Sequence, residues 1–357
     1  MNSRDQKVTP RYVDILSKCA MLKNHSSLNL IYREEIMSEV LVIGEAFVDF
    51  LPRRTGNIAQ VDGFEMHGGG APCNVARGVS KLGINAAFIS VVGDDDFSTF
   101  ILRQLEETGV NTSYIRRLVG GRTQLCFVTL DETGERHFTG RGPDASLSFG
   151  VQDIRPEAFV NNRVLMLSCG SLRTRQGVYA VERGIQYTKG WVVCDPGTCP
   201  PEWCDPSLMR RRLWGVFTRC EIVKCADHET YWLTEQDDPL KAAQAFIDGG
   251  AKCAIVTLGA QGALWARRGE HGYVPTPNVE VLDTTGAGDA FMSGLLSALS
   301  IQDTAPSELS KEAWERVVRF AAYIGAQAVT QLGAVHGIPV VENSDSLHSL
   351  ITELETV

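Results

Sequence analysis

The sequence predicts an α/β fold of three layers, in which helices cover both faces of a mostly parallel central sheet and a small β-sheet lid is attached. From Val40 onwards, short β-branched runs alternate with longer runs of helical periodicity. Uniformly apolar strands followed by helices are typical of parallel sheets that are buried on both faces. Two polar, glycine-bearing segments, about 51–67 and 118–142, interrupt this alternation. They predict the lid.

The predicted elements follow one another along the chain. VLVIGEAFVDF (40–50) begins as a buried strand and breaks at Gly44. The later strands are predicted at 86–93, 163–170, 191–196, 221–225 and 252–259, and the helices at 73–83, 96–109, near 176–187, near 239–249, 290–299 and 312–330. In the second lid segment, DETG (131–134) lies between two alternating runs, which is typical of a hairpin turn.

A single large domain is expected over residues 37–345, because no repeat or linker divides this part of the chain. Residues 1–36 contain no apolar h-region, so we do not expect a secretory signal there. They are predicted to be a poorly ordered extension, or to follow an upstream start codon, with Met37 opening the domain. Residues 346–357 are expected to form a C-terminal tail.

Composition narrows the class of protein. The 357 residues contain 34 Lys and Arg against 43 Asp and Glu, a formal charge of -9, which argues against a nucleic-acid or membrane-surface binder. No apolar run is long enough for a transmembrane helix. The ten cysteines include no CxxC pair, so no structural metal is implied. Reduced thiols and a cytoplasmic location are the expectation.

The stretch DTTGAGDAF (283–291) lies between a β-like segment and an apolar helical run. Gly286 and Gly288 allow a tight turn and a close backbone approach to a ligand. The free N–H groups at the start of the following helix form an anion site, and Asp289 places a carboxylate beside it. Phosphoryl transfer would use both, the N–H groups for the phosphoryl charge and the carboxylate as a base. The spacing of these residues alone leaves open a simpler interpretation, in which Thr285 or Asp283 is an ordinary N-cap and Asp289 is a surface acid that stabilises the helix dipole.

Three motifs together resemble the ribokinase-like carbohydrate kinases of the PfkB family. DTTGAGDAF is similar to the C-terminal signature of that family, and GGGAPCNVARGVSKLG (68–83) to its N-terminal signature. VTLGAQGALW (256–265) resembles the strand and turn of its nucleotide loop. The resemblance runs in family order from about residue 40 to 340 and implies the ribokinase-like form of the fold. No Walker A motif is present, as in that family.

The resemblance implies roles for individual residues. In the transfer site, Asp289 would be the catalytic base, and the backbone of Gly286, Ala287, Gly288 and Asp289 the anion hole. On the sugar side, Gly69 and Gly70 would be the lid hinge, Asp49 and Asn74 would bind sugar hydroxyls, and Arg141 is a candidate contact to the sugar or its phosphate. Without the resemblance, Asn74 could equally be a helix cap and Asp49 a surface residue at the end of a strand.

The cofactor residues follow from the same resemblance. Thr257, Gly259 and Gly262 match the loop for the ATP phosphates and ribose, and Glu229 matches an acid that organises Mg²⁺ through water. Asp283 and Thr285 match positions that help to bind a monovalent cation, such as K⁺. The expected partners are a sugar and ATP, with no nucleic acid and no membrane. Homodimerisation through the β lid is a further expectation.

Within the family, GEAFVDF and the RGPDA segment are most similar to fructokinases, which form fructose 6-phosphate from fructose and ATP. 2-Keto-3-deoxygluconate kinase and ribokinase are the alternatives, and a non-catalytic kinase-like scaffold is a third. Departures from the fructokinase pattern are DPGTC, with Gly197 and Thr198, together with Ala226 and Glu235. DPGTC and Ala226 put the organisation of the nucleotide or metal, or the choice of substrate, in doubt, whereas Glu235 is expected to be harmless. A dinucleotide-dependent oxidoreductase is excluded by the absence of GxGxxG after the first strand.

Overall fold

The computed structural model describes residues 39–130, 136–141, 144–197 and 205–354. Its strands are β1 (Val40–Ile43), β2 (Phe47–Pro52), β3 (Phe64–Gly69), β4 (Ala86–Gly93), β5 (Ile115–Leu118), β6 (Leu125–Leu130), β7 (Arg136–Arg141), β8 (Val164–Leu167), β9 (Trp191–Cys194), β10 (Ile222–Ala226), β11 (Cys253–Thr257), β12 (Ala263–Arg267) and β13 (Glu270–Val274). Its α-helices are α1 (Ala71–Lys81), α2 (Asp96–Glu107), α3 (Arg175–Tyr187), α4 (Pro206–Phe217), α5 (Asp227–Thr234), α6 (Pro239–Asp248), α7 (Ala287–Ser300), α8 (Lys311–Ala328) and α9 (Ser344–Glu353).

Within the described ranges, nine strands form the central sheet in the order β13-β12-β11-β10-β9-β8-β1-β4-β5. Every pair from β11 to β5 is parallel, and β12 and β13 extend one edge as antiparallel strands. Alternate residues of β1 enter different apolar cores, Val40 and Val42 one core and Leu41 and Ile43 the other. Helices α1, α2, α7, α8 and α9 contribute to the first core, and α3 to α6 to the second. The predicted three-layer α/β fold is therefore confirmed.

The lid is a separate sheet, of which the structure describes four strands in the order β3-β2-β6-β7. β2 pairs with β3 antiparallel and with β6 parallel. The ring of Phe50 stacks on that of Phe127 with centroids 4.8 Å apart, and meets the edge of Phe97 from α2 at 6.0 Å. These ring contacts join the lid to α2. The DETG turn lies outside the described residues, but β6 and β7 on either side of it pair antiparallel.

The two ends of the chain differ in how far the structure describes them. Residues 1–36 lie outside the described residues. The segment expected as a C-terminal tail contains most of α9, whose Leu347 and Ile351 are buried in the first core. The apolar spacing of these two residues gives the helix one buried face. No helix within the described ranges is long and apolar enough to cross a membrane.

The topology brings the carboxyl ends of three neighbouring strands together at the candidate site. Strands β9, β10 and β11 are parallel neighbours, and Ala226 at the end of β10 pairs with Thr257 at the end of β11. Asp195 follows directly after β9. The carboxyl ends of these strands therefore lie side by side at the same end of the sheet, which is where ligands bind in open parallel sheets.

Candidate active site

The turn 283–289 leads into α7 and is fastened by its own side chains. Gly286 is the N-cap of α7 and has φ +73°, a conformation that favours glycine. Asp283 accepts hydrogen bonds from the backbone N–H and the hydroxyl of Thr285. Its other oxygen accepts the N–H of Gly333 at 2.9 Å. The turn is thereby held against the loop that follows α8, with the first N–H groups of α7 directed away from the helix.

Asn74 and Asp289 meet across the interface between α1 and α7. The Nδ2 of Asn74 donates to Oδ2 of Asp289 at 2.9 Å. Asn74 does not cap α1, because the N-cap is Gly70 and no side chain bonds there. The buried Oδ1 of Asn74 has no hydrogen-bond partner within the described ranges, so it is available to a ligand hydroxyl.

Asp289 is poised to exchange a proton near neutral pH. Burial in the cleft raises the pKa of its carboxyl to about 6, and the hydrogen bond from Asn74 opposes this rise. The charge of Asp195 raises the pKa further, while Lys224 lowers it. A carboxylate with a pKa near the working pH is suited to general base catalysis.

A cleft separates the lid from the 283–289 turn. Its volume is about 630 Å³, and its walls include Leu51 and His67 of the lid and Asp283 of the turn. A smaller cavity of about 50 Å³ adjoins it, lined by Asp49 and Asn74 among others. The lid and the turn thus enclose a space beside the residues expected to bind sugar.

Gly69 and Gly70 connect the lid to α1, and neighbouring atoms lie close to both glycines. A Cβ on Gly69 would collide with the carboxylate of Asp49 and lie 2.7 Å from the ring of Phe47. Gly70 has φ +98°, and a Cβ there would lie 2.6 Å from the carbonyl oxygen of Glu45. The Gly70 position therefore requires glycine, and a side chain at Gly69 would have to displace Asp49 and Phe47; the sequence predicts the lid hinge at these two residues.

A buried lysine lies among carboxylates at the ends of β9 and β10. Lys224 donates to Oδ2 of Asp195 at 2.9 Å, and both side chains are less than a tenth exposed. Glu229 is also buried, and its Oε2 accepts the N–H of Ala226 at 2.8 Å. Burial raises the pKa of Glu229, and the neighbouring Asp195 adds to this rise. Burial opposes the charge of Lys224, but Asp195 and Glu229 outweigh it and raise its pKa, so the lysine stays charged.

The predicted nucleotide loop follows β11. Thr257 is the last residue of the strand, and its hydroxyl donates to the carbonyl of Cys225 at 3.3 Å. Gly259 and Gly262 both have positive φ, +56° and +121°. A side chain on Gly259 would meet nothing within 4 Å, whereas one on Gly262 would collide with β13. Gly259 is exposed, so a ligand could approach its backbone directly.

The departures from the fructokinase pattern have different surroundings. Ala226 is the N-cap of α5 and offers no side-chain hydrogen bond. Glu235 ends α5 with φ +60°, the left-handed conformation that explains why glycine is common there, and it pairs with Arg210 at 2.7 Å. Gly197 has φ +62°, and Thr198 lies outside the described residues. For Arg141, the structure describes the backbone at the end of β7 and not the side chain.

Several residues of the site belong to none of the sequence motifs. Lys224 and Asp195 lie in apolar strand segments of the sequence, where a lysine in the middle of a strand is an unusual signal. Glu45 is buried near the lid junction and accepts from the hydroxyl of Ser168 at 3.2 Å. Arg77, one helical turn after Asn74, lines the smaller cavity, and its buried Nε has no hydrogen-bond partner in the described part of the chain.

This arrangement can support one class of chemistry in particular. A helix N-terminus supplies N–H groups to an anion, and a carboxyl with a pKa of about 6 stands beside it. A lid and a cleft can exclude water from both. A fold and site of this kind define an α/β enzyme that transfers an anionic group, such as a phosphoryl group, to an alcohol.

Comparison with known proteins gives the family. The sequence pattern of the pfkB family carbohydrate kinases matches residues 37–340, and the chain belongs to this family. It is 34% identical over 309 residues to "Probable fructokinase-3" of Arabidopsis thaliana, covering 84% of this chain and 88% of that protein.

Solved structures give the same family and confirm the ribokinase-like fold. The crystal structure of a fructokinase with bound ATP from Xylella fastidiosa is similar with a TM-score of 0.78 and 30% identity, covering 89% of this chain and 100% of that chain. A double-mutant fructokinase from Vibrio cholerae O395, in a form with fructose, ADP and potassium ion, has a TM-score of 0.76 and 28% identity, covering 88% and 98%. The chain is therefore a phosphotransferase with an alcohol acceptor.

Proposed function

We propose that the chain transfers the γ-phosphoryl group of ATP to the 6-hydroxyl of fructose. The single observation that carries this proposal is the contact between Asn74 and Asp289 at the start of α7, 2.9 Å long. It joins a sugar-binding candidate to the candidate base at the helix N-terminus. The names of the relatives, fructokinases in plants and bacteria, favour fructose among the sugars.

The proposed mechanism uses the chain's own groups in sequence. The sugar binds between the lid and α1, where Asp49 and the free Oδ1 of Asn74 accept its hydroxyls. Asp289 accepts the proton of the attacking hydroxyl at Oδ1, because Oδ2 is occupied by Asn74. The N–H groups of the 286–289 turn hold the charge of the moving phosphoryl group.

The opposite side of the site fits the phosphates of ATP and a magnesium ion. Asp195 and Glu229 supply carboxylates at the strand ends, and Lys224 supplies a positive charge. In this proposal Glu229 would help to organise Mg²⁺ through water, and Thr257, Gly259 and Gly262 would hold the nucleotide. Bound Mg²⁺ would neutralise phosphate charge during transfer. The absence of a polar side chain at Ala226 leaves the backbone N–H there to hold Glu229.

Other attributes of the protein stay predictions from the sequence. A monovalent cation at Asp283 and Thr285 is one of them, and in the turn these two residues are hydrogen-bonded to each other. Homodimerisation through the lid, the sugar contact of Arg141, the absence of nucleic-acid and membrane partners, and a cytoplasmic location are likewise retained. The boundaries of the domain, 37–345, are proposed on the same basis.

The substrate is tested by ADP release from Mg-ATP with fructose, 2-keto-3-deoxygluconate, ribose and adenosine in parallel, with a blank that contains no sugar. We expect kcat/KM to be highest for fructose by at least about tenfold, since a site built for given hydroxyls rejects analogues that lack them. A preference for another sugar would replace fructose and keep the kinase assignment. If a folded protein that binds ATP released no ADP with any of the sugars, the non-catalytic scaffold would be favoured.

The pH dependence of activity is expected to follow the deprotonation of the Asp289 carboxyl. A base works when deprotonated, so kcat/KM for the sugar should be level above about pH 7 and fall about tenfold per unit below the pKa of about 6. Asn74→Ala removes a hydrogen bond that lowers this pKa, so its acid limb should move to higher pH. The nucleotide titrates equally in both enzymes, so a difference between their limbs belongs to the protein. Identical acid limbs in the pH profiles of the wild type and Asn74→Ala would contradict the assignment of Asp289 as the base.

A further inference from the structure

Lys224 points toward the start of α7. It has the same parity on β10 as Ile222, which packs in the core beneath α7 and α8. Asp195 likewise continues the parity of Val193 on the neighbouring strand. Both side chains therefore lie on the sheet face that α7 covers, Lys224 in the middle of β10 and Asp195 directly after β9.

The lysine reaches the turn itself. A Cβ built on Gly288 would lie 3.4 Å from Nζ of Lys224. Gly288 is within the first turn of α7, whose N–H groups form the anion site. The ammonium group and the helix N-terminus therefore converge on the same small space.

The ammonium group is incompletely bonded. An ammonium carries three N–H donors, and one of them is used by Asp195 at 2.9 Å. The other two have no acceptor within hydrogen-bond distance among residues 39–354 as far as these are described. A side chain only 5% exposed cannot satisfy them with bulk water. Leaving buried donors unmet is costly, so such a group points to an acceptor that a ligand brings.

We propose that Lys224 contacts the oxygens of the transferring phosphoryl group and is a catalytic residue of this kinase. This inference rests on the proposed function. In the reaction, the bond from the β–γ bridging oxygen to the γ-phosphorus breaks, and a bond from the sugar oxygen forms. The hydroxyl proton passes to Asp289, and ADP leaves with the bridging oxygen. Lys224 donates its free N–H groups to the phosphoryl oxygens throughout, opposite the amides of the turn.

A charge argument favours this role over a purely structural one. Asp195, Glu229 and Asp289 surround Lys224, and each adds a favourable interaction with its charge. One ammonium cannot balance three carboxylates, so pairing alone would leave a negative site that repels ATP. With its free donors directed at the turn, the lysine instead supplies a positive charge where the phosphoryl group must pass.

The experiment compares Lys224→Met with the wild type in two measurements. The first is kcat at saturating Mg-ATP and sugar. The second is the affinity for ADP alone and for ADP with aluminium fluoride, a planar mimic of the phosphoryl group in flight, with Mg²⁺ and sugar present. We expect kcat and the affinity for the fluoride complex to fall about 10²–10³-fold, as on removal of one donor to a developing oxyanion. The Kd of ADP should stay within about threefold.

Controls separate folding from chemistry. Arg116→Met removes the cation of a partly buried pair, with Asp153, at the far end of the sheet, and should leave kcat unchanged. If Lys224→Met fails to fold, Lys224→Gln, which loses the charge but can still donate a hydrogen bond to Asp195, is measured in the same way. In either variant, a wild-type kcat, or an equal loss of affinity for ADP and for the fluoride complex, would overturn the role of Lys224. Absence of turnover in the wild type with every sugar would instead refute the proposed function.

Discussion

Asp289→Asn is expected to lower kcat by about 10²–10⁴-fold, the usual contribution of a general base. The amide cannot accept the proton of the sugar hydroxyl, although it keeps the size of the carboxyl and can still bond to Asn74. Because the change removes a buried charge whose pKa is raised by burial, we expect no loss of thermal stability. Steady-state kinetics with fructose and Mg-ATP, beside a thermal melt, measure both effects.

The matched control is Asp303→Asn. Asp303 is also an aspartate, but its side chain is 98% exposed, and among the residues that the structure describes it pairs only with Arg163. This variant should keep wild-type kcat and a Tm within about 2 °C, because surface pairs contribute little. If Asp289→Asn kept near-full turnover, another group would have to take the proton, and the assigned base would be wrong.

Gly286→Ala is expected to lower kcat/KM at least about 10²-fold, since a displacement of about 1 Å in a reacting geometry has effects of this size. Gly286 has φ +73°, and its new Cβ would lie 2.6 Å from Cα and 2.8 Å from the carbonyl oxygen of Ala334. Backbone atoms cannot rotate away, so either the turn or the 331–337 loop must move. The N–H groups of the turn would then no longer face the phosphoryl position.

Gly269→Ala distinguishes this clash from backbone strain alone. Gly269 has a similar φ of +76°, but nothing lies within 4 Å of its Cβ position. It should lose about 1–2 kcal/mol of stability from the left-handed backbone and keep full activity. If both variants lost activity equally, the contact of the turn with Ala334 would have no part in catalysis.

The regular elements of the fold were predictable where their patterns are strong. β4 (86–93) matches its expected span, and α7 and α8 lie within three residues of theirs. The β12–β13 hairpin was missed because its short strands at the sheet edge carry only a weak alternation, and α9 because one narrow apolar face distinguishes it. Helix α4 was also missed, next to a stretch rich in proline and cysteine.

The candidate site was predictable only where local sequence dictates local shape. Glycines at positive φ, such as Gly286 and Gly70, can be predicted from motifs because no other residue fits such turns well. Lys224 could not be assigned in this way. Its role depends on the carboxylates and the turn that surround it, and these come from three separate segments. Such convergence is a property of the topology rather than of any motif.

The contact between Asn74 and Asp289 also bears on how the protein folds. These residues are 215 positions apart in the chain, and β1 at the start of the domain pairs with β8 across more than 100 residues. Closing such long loops precedes any gain from the contacts they bring together, which slows folding. The pair can form only after both halves of the sheet have assembled. Kinase activity that returns after dilution from denaturant would therefore report the completed native topology, whereas recovered helix content would report earlier, partly ordered states.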